Sequence, residues 1–415
     1  MTAVLTRFRS FERSVQLLLV NQFAINVGFY MLMPYLAMHL SGGLAMAGWA
    51  VGLVLGVRNF SQQGMFLLGG TLADRLGYKP LIVAGCALRT AGFGLLGFVD
   101  TLPALIVASA ATGFAGALFN PAVRAYVARD AGPRRVEAFA LFNVFYQTGI
   151  LVGPLIGLAL TGVDFSLTCA VAALVFAVLT VLQVRALPKR APRSDEVRQS
   201  VVADWRVVAG NGRFVWFAGA MIGSYVLSFQ VYLALPLEAR RLAGPGTAGT
   251  VLVAVLFAVS GVLAIAGQLR VTDWFRRRLG ADRSLTAGML LLAVAFLPPA
   301  LPAPDAGVLR FAPVLLSAVL IAVGTMVVFP FEMDTIVALS GDRLVATHYG
   351  LYNTVVGAGI LVGNLFTGSA LDAARAAGSP ALPWLAMALL GLVCAWCLVV
   401  LRPNGRPVAA MRVMG

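Results

Sequence analysis

Twelve long runs of apolar residues dominate the chain, and each run is long enough to cross a lipid bilayer as a helix. A membrane helix needs about 20 mostly apolar residues. Lipid excludes open strand edges, and runs without alternation do not fit a membrane β-barrel. The sequence therefore predicts an all-α integral membrane protein with spans at 15–38, 45–69, 80–99, 103–127, 138–161, 166–187, 214–236, 249–270, 285–303, 312–339, 349–371 and 382–401.

The distribution of charge predicts the orientation of these spans. Only 12% of the residues are charged, against about 25% in soluble domains. With the N-terminus inside, 24 of the 31 Lys and Arg residues fall on the cytoplasmic side, 4 on the opposite side and 3 within spans. Positive residues favour the cytoplasmic side, so both termini are expected there. The net charge of +14 is thus a topology signal and does not indicate nucleic-acid binding.

A polar segment divides the chain into two halves of similar length. We expect a six-helix bundle at 1–187, a cytoplasmic linker at 188–212, a second six-helix bundle at 213–402 and a cytoplasmic tail at 403–415. The halves also share a sequence pattern. Leu-Phe-Asn143 followed by Gly149-Ile-Leu-Val-Gly recurs as Leu-Tyr-Asn353 followed by Gly359-Ile-Leu-Val-Gly, with the same spacing. Such parallel repeats are typical of transporters that hold their site between two halves.

The loop after the second run reads Gly70-Thr-Leu-Ala-Asp74-Arg75-Leu-Gly77-Tyr-Lys79. This loop resembles the GxLADRxGrk motif of the major facilitator superfamily, and the resemblance covers almost the whole chain. It implies twelve transmembrane helices in two pseudo-symmetric six-helix bundles. It also implies a gate in which Asp74 meets the positive N-terminal end of a helix from the other half, which we expect to be the eleventh. The alternative is a loop that only orients the protein. The candidate gating residues are Gly70, Asp74, Arg75, Gly77, Lys79, Asp130 and Arg135.

The fifth run carries Gly149, Gly153, Pro154 and Gly157 on one helix face. It resembles the antiporter motif GxxxGPxxGG, with Leu158 in place of the last glycine. Together with the polar stretch 55–64 of the second run, it resembles the twelve-helix drug:proton antiporter branch. The resemblance implies efflux. Pro154 would permit a bend, whereas generic close packing of small residues is the alternative.

Titratable residues inside the predicted spans are few. Many members of the drug:proton antiporter branch carry an acidic residue in the first span. Here this span carries amides instead, at Asn21, Gln22 and Asn26, which cannot titrate. Glu332 and Asp334 are the acidic pair well inside a span, and residues two apart point about 200° from one another on a helix. Burial would raise a carboxylate pKa toward neutrality, so these two are the candidate proton-coupling residues by elimination. The alternative is an ion pair, with Arg124 or loop arginines, that closes the gate.

Arg58 and Arg89 are cations within spans, where a charge normally faces protein or a wet cavity. Arg58 could hold an anionic group, repel protons from a nearby carboxylate or bond to helix carbonyls, and for Arg89 we favour the structural interpretation. Polar and aromatic residues on the helices that usually line the cavity complete the substrate-cavity candidates. These candidates are Asn26, Tyr30, Arg58, Gln62, Tyr146, Gln147, Tyr225, Gln230 and Asn353.

These patterns predict a non-enzymatic secondary transporter that exports small amphipathic or hydrophobic organic compounds by proton antiport. We expect a monomer in a bacterial inner membrane, with lipid, protons and a small-molecule substrate as its partners. We expect no cofactor beyond the proton gradient, no metal and no nucleic acid. The two His residues exclude a histidine-rich metal site, and the four Cys residues lie in apolar runs as packing residues. The alternatives are an uptake symporter or facilitator, or a non-transporting receptor or scaffold.

Overall fold

The computed structural model describes residues 2–32, 35–36, 39–40, 44–46, 48–161, 164–188, 200–243, 247–302 and 307–401. These residues form α-helices and short 3₁₀ turns, and no strand occurs among them. The predicted tail at 403–415 and residues 189–199 of the predicted linker lie outside the described residues.

The chain divides into two compact units. Unit 1 comprises Met1–Gly210 and Ser340–Thr354, and unit 2 comprises Asn211–Leu339 and Val355–Gly415. The short segment Ser340–Thr354 therefore belongs with the N-terminal helices, although it lies far away in the sequence. The predicted domain bounds, 1–187 and 213–402, stay a prediction.

Unit 1 contains nine helices and the start of a tenth within its described residues. Their bounds are α1 Thr2–Arg9, α2 Arg13–Tyr30, α3 Gly48–Gln63, α4 Phe66–Leu76, α5 Tyr78–Phe98, α6 Leu102–Ala131, α7 Arg135–Thr161, α8 Phe165–Ala186 and α9 Val201–Gly210. The helices of unit 2 are α10 Gly212–Ser228, α11 Ala234–Ala243, α12 Thr247–Val294, α13 Ala312–Ser340 and α15 Leu382–Val400. Helix α14, Val345–Ala376, begins in unit 1 and continues in unit 2.

Several predicted spans are interrupted at identifiable residues. The second span is divided into α3 and α4, and a 3₁₀ turn at Phe229–Val231 follows α10 in the seventh. The eighth span and the first part of the ninth, up to Val294, lie in α12, which breaks at Gly280, where φ is 72°. Only glycine adopts this conformation without strain, so Gly280 marks the turn between two helices.

Seven stretches of the described residues are long and apolar enough to cross a membrane. They contain the third to tenth predicted spans and the twelfth, because adjacent spans merge in two of the stretches. The remaining three predicted spans are occupied by α2, by α3 with α4, and by α14.

Close helix packing in unit 1 depends on glycine. Helix α5 packs on α6 and α8, α3 packs on α6, and α2 packs on α7. A Cβ atom added to Gly69 or Gly113 would overlap a backbone carbonyl, that of Ala117 or of Arg58 respectively. In lipid there is no hydrophobic driving force between apolar side chains. Helices in a membrane therefore associate largely through close packing of their backbones.

Candidate functional site

The carboxylate of Asp74 occupies the N-terminus of α14 within unit 1. Its Oδ1 accepts from the backbone N of Ala346 at 3.1 Å, and its Oδ2 accepts from the backbone N and the Oγ1 of Thr347, both at 2.7 Å. These backbone amides belong to the first turn of α14, which has no intrahelical acceptors for them. Asp74 therefore caps α14 from another helix and meets the positive end of its dipole.

Burial dominates the electrostatics of this carboxylate. Removal from water raises the pKa of Asp74 to about 6, although the donors on Thr347 and Ala346, with the hydroxyl of Tyr78 at 3.4 Å, lower it. The carboxylate consequently titrates near neutral pH while it caps α14.

Two glycines allow α4 and the start of α14 to approach closely. A Cβ atom on Gly70 would overlap the carbonyl of Ala346, and one on Gly350 would lie 2.5 Å from the carbonyl of Phe66. The loop before α14 contains Asp342 and Leu344 with φ of 60° and 47°, conformations that L-residues rarely adopt. The entry into α14 thus combines a strained loop with close contact to α4.

The other residues of the loop motif bind separate parts of unit 1. Arg75 donates from Nε and Nη2 to Oδ2 of Asp204 in α9, at 2.8 and 2.6 Å. Lys79 donates from Nζ to the carbonyls of Val184 and Leu187, at 2.8 and 2.5 Å. This ammonium neutralises the negative C-terminal end of α8. Gly77, with φ of 91°, makes the turn between α4 and α5 that separates these two cations.

Helix α9 of the linker region was not among the expected gate elements, yet it contacts the motif twice. Besides the Arg75–Asp204 ion pair, Nε1 of Trp205 donates to Oγ1 of Thr71 at 2.8 Å. The sequence marked 188–212 only as a polar linker, so it gave no signal for these contacts.

Asp130 and Arg135 lie at the same end of unit 1 as the motif but contact different partners. Oγ of Ser14 donates to Oδ2 of Asp130 at 2.5 Å, and Nη1 of Arg135 lies 3.5 Å from Oδ1 of Asp342. Arg135 thus contacts the loop that enters α14.

Arg124 and the cavity candidate Asn353 form a further contact to α14. Nη1 of Arg124 donates to Oδ1 of Asn353 at 2.8 Å, while Nδ2 of Asn353 donates to the carbonyl of Tyr349 at 2.6 Å. The oxygen and the nitrogen of the Asn353 side-chain amide therefore both form hydrogen bonds within unit 1.

The glycines of the fifth span place α7 directly against α2. A Cβ atom on Gly149 would lie 2.6 Å from Cβ of Asn26, and one on Gly153 would lie 2.8 Å from Cβ of Tyr30. A Cβ atom on Gly157 would overlap the carbonyl of Met31. The helix continues through Pro154, whose carbonyl accepts from the hydroxyl of Tyr35 at 2.6 Å. The small face of α7 therefore packs on the backbone of α2.

The remaining cavity candidates are distributed over both units. In unit 1, Nδ2 of Asn26 donates to the carbonyl of Gln22 at 2.9 Å, and Nη2 of Arg58 donates to Oε1 of Gln62 at 3.0 Å. Tyr30 lies edge-on to Phe29, with ring centroids 5.1 Å apart. The other candidates in this unit, Tyr146 and Gln147, are half-buried on α7.

In unit 2, Gln230 is buried, and its Nε2 donates to the carbonyl of Val226 at 2.7 Å and to Oδ1 of Asn364 at 3.4 Å. Tyr225 is half-buried on α10. The two acidic candidates both lie on α13, where Glu332 is buried, with 2% exposure, and Asp334 is half-buried.

Comparison with known proteins identifies the family. The model of the Major Facilitator Superfamily matches residues 18–364. The chain belongs to the Major Facilitator Superfamily. It is 56% identical over 390 residues to an uncharacterized MFS-type transporter of Mycobacterium tuberculosis, a match that covers 93% of this chain and 92% of that protein. The predicted family and its all-α, twelve-helix fold are therefore confirmed.

Two further comparisons bear on this member of the superfamily. The chain is 29% identical to the multidrug resistance protein MdtH of Salmonella arizonae, over 91% of this chain and 90% of that protein. The fold is similar to that of FucP, the fucose:proton symporter of Escherichia coli, with a TM-score of 0.72 and 16% identity over 94% of this chain and 98% of FucP. At that identity, FucP shows the shared fold alone.

The raised pKa of Asp74 predicts a specific pH dependence of stability. Because the folded pKa, about 6, exceeds the ordinary 3.8, this group stabilises the fold most at low pH and loses that contribution as pH rises to 6. Between about pH 5 and about pH 7.5, the wild type should therefore lose roughly 1 kcal/mol relative to Asp74→Asn. Unfolding of both proteins in detergent at the two pH values measures this difference.

Thr347→Val is the matched variant for the same measurement. It removes one donor that lowers the Asp74 pKa, so the pH-dependent loss should shift to higher pH. A difference between wild type and Asp74→Asn that is constant with pH would contradict this account of the cap.

The contact between α7 and α2 predicts a strong penalty for one methyl group. Gly157→Ala should destabilise the protein by about 1–3 kcal/mol, because the added carbon overlaps the carbonyl of Met31. Gly94→Ala on α5 is the control, since a Cβ atom there has nothing within 4 Å. Thermal unfolding in detergent compares the two, and equal melting temperatures would show that α7 and α2 separate freely.

Proposed function

We propose that this member of the superfamily exports small amphipathic or hydrophobic organic compounds in exchange for protons. Alternating access would arise from rocking of two six-helix bundles, at 1–187 and 213–402, about a site near the membrane midplane. We place it as a monomer in a bacterial inner membrane with both termini cytoplasmic, as the excess of positive residues on that side favours.

The small face of α7, which resembles the antiporter motif of exporters, is the observation that supports export. Gly149, Gly153 and Gly157 leave no room for side chains there, and Pro154 removes one backbone hydrogen bond from the same stretch. A helix that is closely packed yet able to bend suits a seal that moves during switching. The 29% identity to a multidrug resistance protein supports the same direction.

The cap of α14 by Asp74 is proposed as the cytoplasmic gate. Three hydrogen bonds to the Asp74 carboxylate join α4 to the start of α14, 272 residues further along the chain. Hydrogen bonds to the carboxylate and the dipole of the helix N-terminus favour this contact, whereas the burial that raises the Asp74 pKa opposes it, so the net stabilisation is small. A contact of this size can hold one state closed and still break when substrate stabilises the other state.

Proton coupling is proposed for Glu332 or Asp334. Glu332 is buried on a long apolar helix, and ionisable residues at such positions often mark proton pathways. Asp334 lies two residues further along the same helix and is more exposed.

Transport in proteoliposomes with an imposed pH gradient tests the proposal. The probes are three naphthalene derivatives of similar shape: an anionic sulfonate, a neutral sulfonamide and a cationic trimethylammonium. We expect at least one probe to move against the proton flow and to stop when the gradient is collapsed. Movement with the proton flow would indicate uptake by symport, and no movement of any probe would favour a receptor or scaffold.

The carboxylate variants Glu332→Gln and Asp334→Asn test the coupling site in the same vesicles. The variant that removes the coupling group should retain downhill exchange of the probe and lose gradient-driven accumulation. If both variants accumulate probe as the wild type does, the proton binds elsewhere.

A further inference from the structure

Two arginines, the half-buried Arg58 and the buried Arg89, share one aromatic ring in the N-terminal bundle. CZ of Arg58 lies 4.4 Å from the centroid of Phe29, and CZ of Arg89 lies 5.7 Å from the same centroid. Arg89 also lies 5.4 Å from the centroid of Phe176 and is 5% exposed. Both arginines fall near the middle of predicted spans, at 45–69 and 80–99. Arg58 and Arg89 are 31 residues apart in the sequence, and the fold brings them to the same ring.

The charge of this pair is not balanced by nearby acids. In the part of the chain that the structure describes, neither arginine forms an ion pair, and each guanidinium repels the other. Sequence alone explains this, because every carboxylate in residues 1–187 lies outside the six predicted spans there. These carboxylates are Glu12, Asp74, Asp100, Asp130, Glu137 and Asp164. Two cations in a membrane interior without an acid are costly, so their presence calls for a functional explanation.

The structural explanation, arginines bonded to helix carbonyls, does not fit the observed contacts. Arg58 donates to side-chain amide oxygens, those of Asn59 at 2.7 Å and Gln62 at 3.0 Å. Nε of Arg58 and Nε of Arg89 are both buried without a hydrogen-bond partner among the described residues. Guanidinium groups with unused donors are prepared to bind a carboxylate, sulfonate or phosphate, for which their planar fork is suited.

Gly116 lets the side chains of Arg89 and Gln62 approach the same point on α6. A Cβ atom there would lie 3.0 Å from Nη2 of Arg89 and 3.1 Å from Cδ of Gln62. Gln62 in turn accepts from Arg58, so the amide and both guanidinium groups surround one small region beside Phe29. Asn59 is exposed and Arg58 is half-buried, which places this region within reach from outside the bundle.

We propose that Arg58 and Arg89 form a binding site for the anionic group of an amphipathic organic anion. The site rests on the proposed export function and names its substrate class: a compound with one negative group on an apolar, preferably aromatic, body. Phe29 and Tyr30 provide an aromatic wall for that body. An inside-negative membrane potential drives an anion outward, so anionic cargo is consistent with export.

Binding of the three naphthalene probes to the purified full-length chain in a neutral detergent tests this site. Calorimetry should show that the sulfonate binds and that the sulfonamide and the ammonium bind at least about tenfold more weakly. Arg58→Gln and Arg89→Gln should each weaken sulfonate binding about tenfold, whereas Arg58→Lys should retain part of it. Arg310→Gln, which removes an exposed arginine in unit 2, is the control and should change nothing.

Thermal unfolding of the same variants distinguishes a binding role from a structural one. Removing a buried charge that no acid neutralises should leave the melting temperature unchanged or raise it. Gly116→Ala should weaken sulfonate binding with both arginines in place, because the added carbon would push the side chains of Arg89 and Gln62 apart. Lower melting temperatures for both glutamine variants, together with unchanged sulfonate affinity, would overturn the proposal.

Two further experiments are needed. The first distinguishes a transported organic anion from a lipid headgroup as the ligand, and the second distinguishes failure of the anion site from failure of the export proposal. Vesicles made of phosphatidylcholine alone, which carries no net charge, should still transport the sulfonate. If phosphatidylglycerol displaces bound sulfonate and no sulfonate is transported, the site binds a lipid headgroup, and the inference is overturned. Transport of only the neutral or cationic probe would leave export standing and reject the anion site. Arginine-dependent sulfonate binding without transport of any probe would support the site and reject export.

Discussion

One carboxylate joins distant parts of this chain: Asp74 caps the first turn of α14. The amides of Ala346 and Thr347 have no acceptor of their own in the helix, and the motif segment supplies one through a buried aspartate. Gly70 and Gly350 are required because only glycine lets α4 and α14 approach closely enough for this contact. The grouping of Ser340–Thr354 with the N-terminal helices follows from these contacts and from those of Arg124 and Arg135.

The same physical rule applies to the rest of the N-terminal bundle. Apolar side chains gain little by leaving lipid for protein, so helices associate where small residues bring their backbones together. The face of α7 at Gly149, Gly153 and Gly157 does this against α2. Polar groups then become specific features: the arginines beside Phe29 stand out because no acid pairs with them among the residues that the structure describes.

Much of this arrangement follows from sequence. Run length predicts the helical segments, although not the division of the second span into α3 and α4, and the motif at Asp74 predicts a contact with the eleventh span. Other parts could not be read in this way. Asp204 and Trp205 lie in a polar segment without a motif, and the Arg75–Asp204 pair joins residues 129 apart. Phe29 is one of 25 phenylalanines, so no local pattern shows which ring lies between Arg58 and Arg89. Pairing across helices depends on their rotation about their axes, which hydrophobic periodicity does not define when helices are apolar all round.

The central claim is that the cap of α14 by Asp74 opens and closes during transport. Alkylation of a single cysteine at position 346, made as Ala346→Cys in a chain without its four native cysteines, measures this directly. Ala346 is fully buried in the capped state, so its reaction should be slow at rest and should accelerate when a transported probe and a pH gradient are present. The same acceleration should occur at rest when Asp74→Asn is added. An alkylation rate that responds to neither substrate nor the loss of the Asp74 charge would contradict the account.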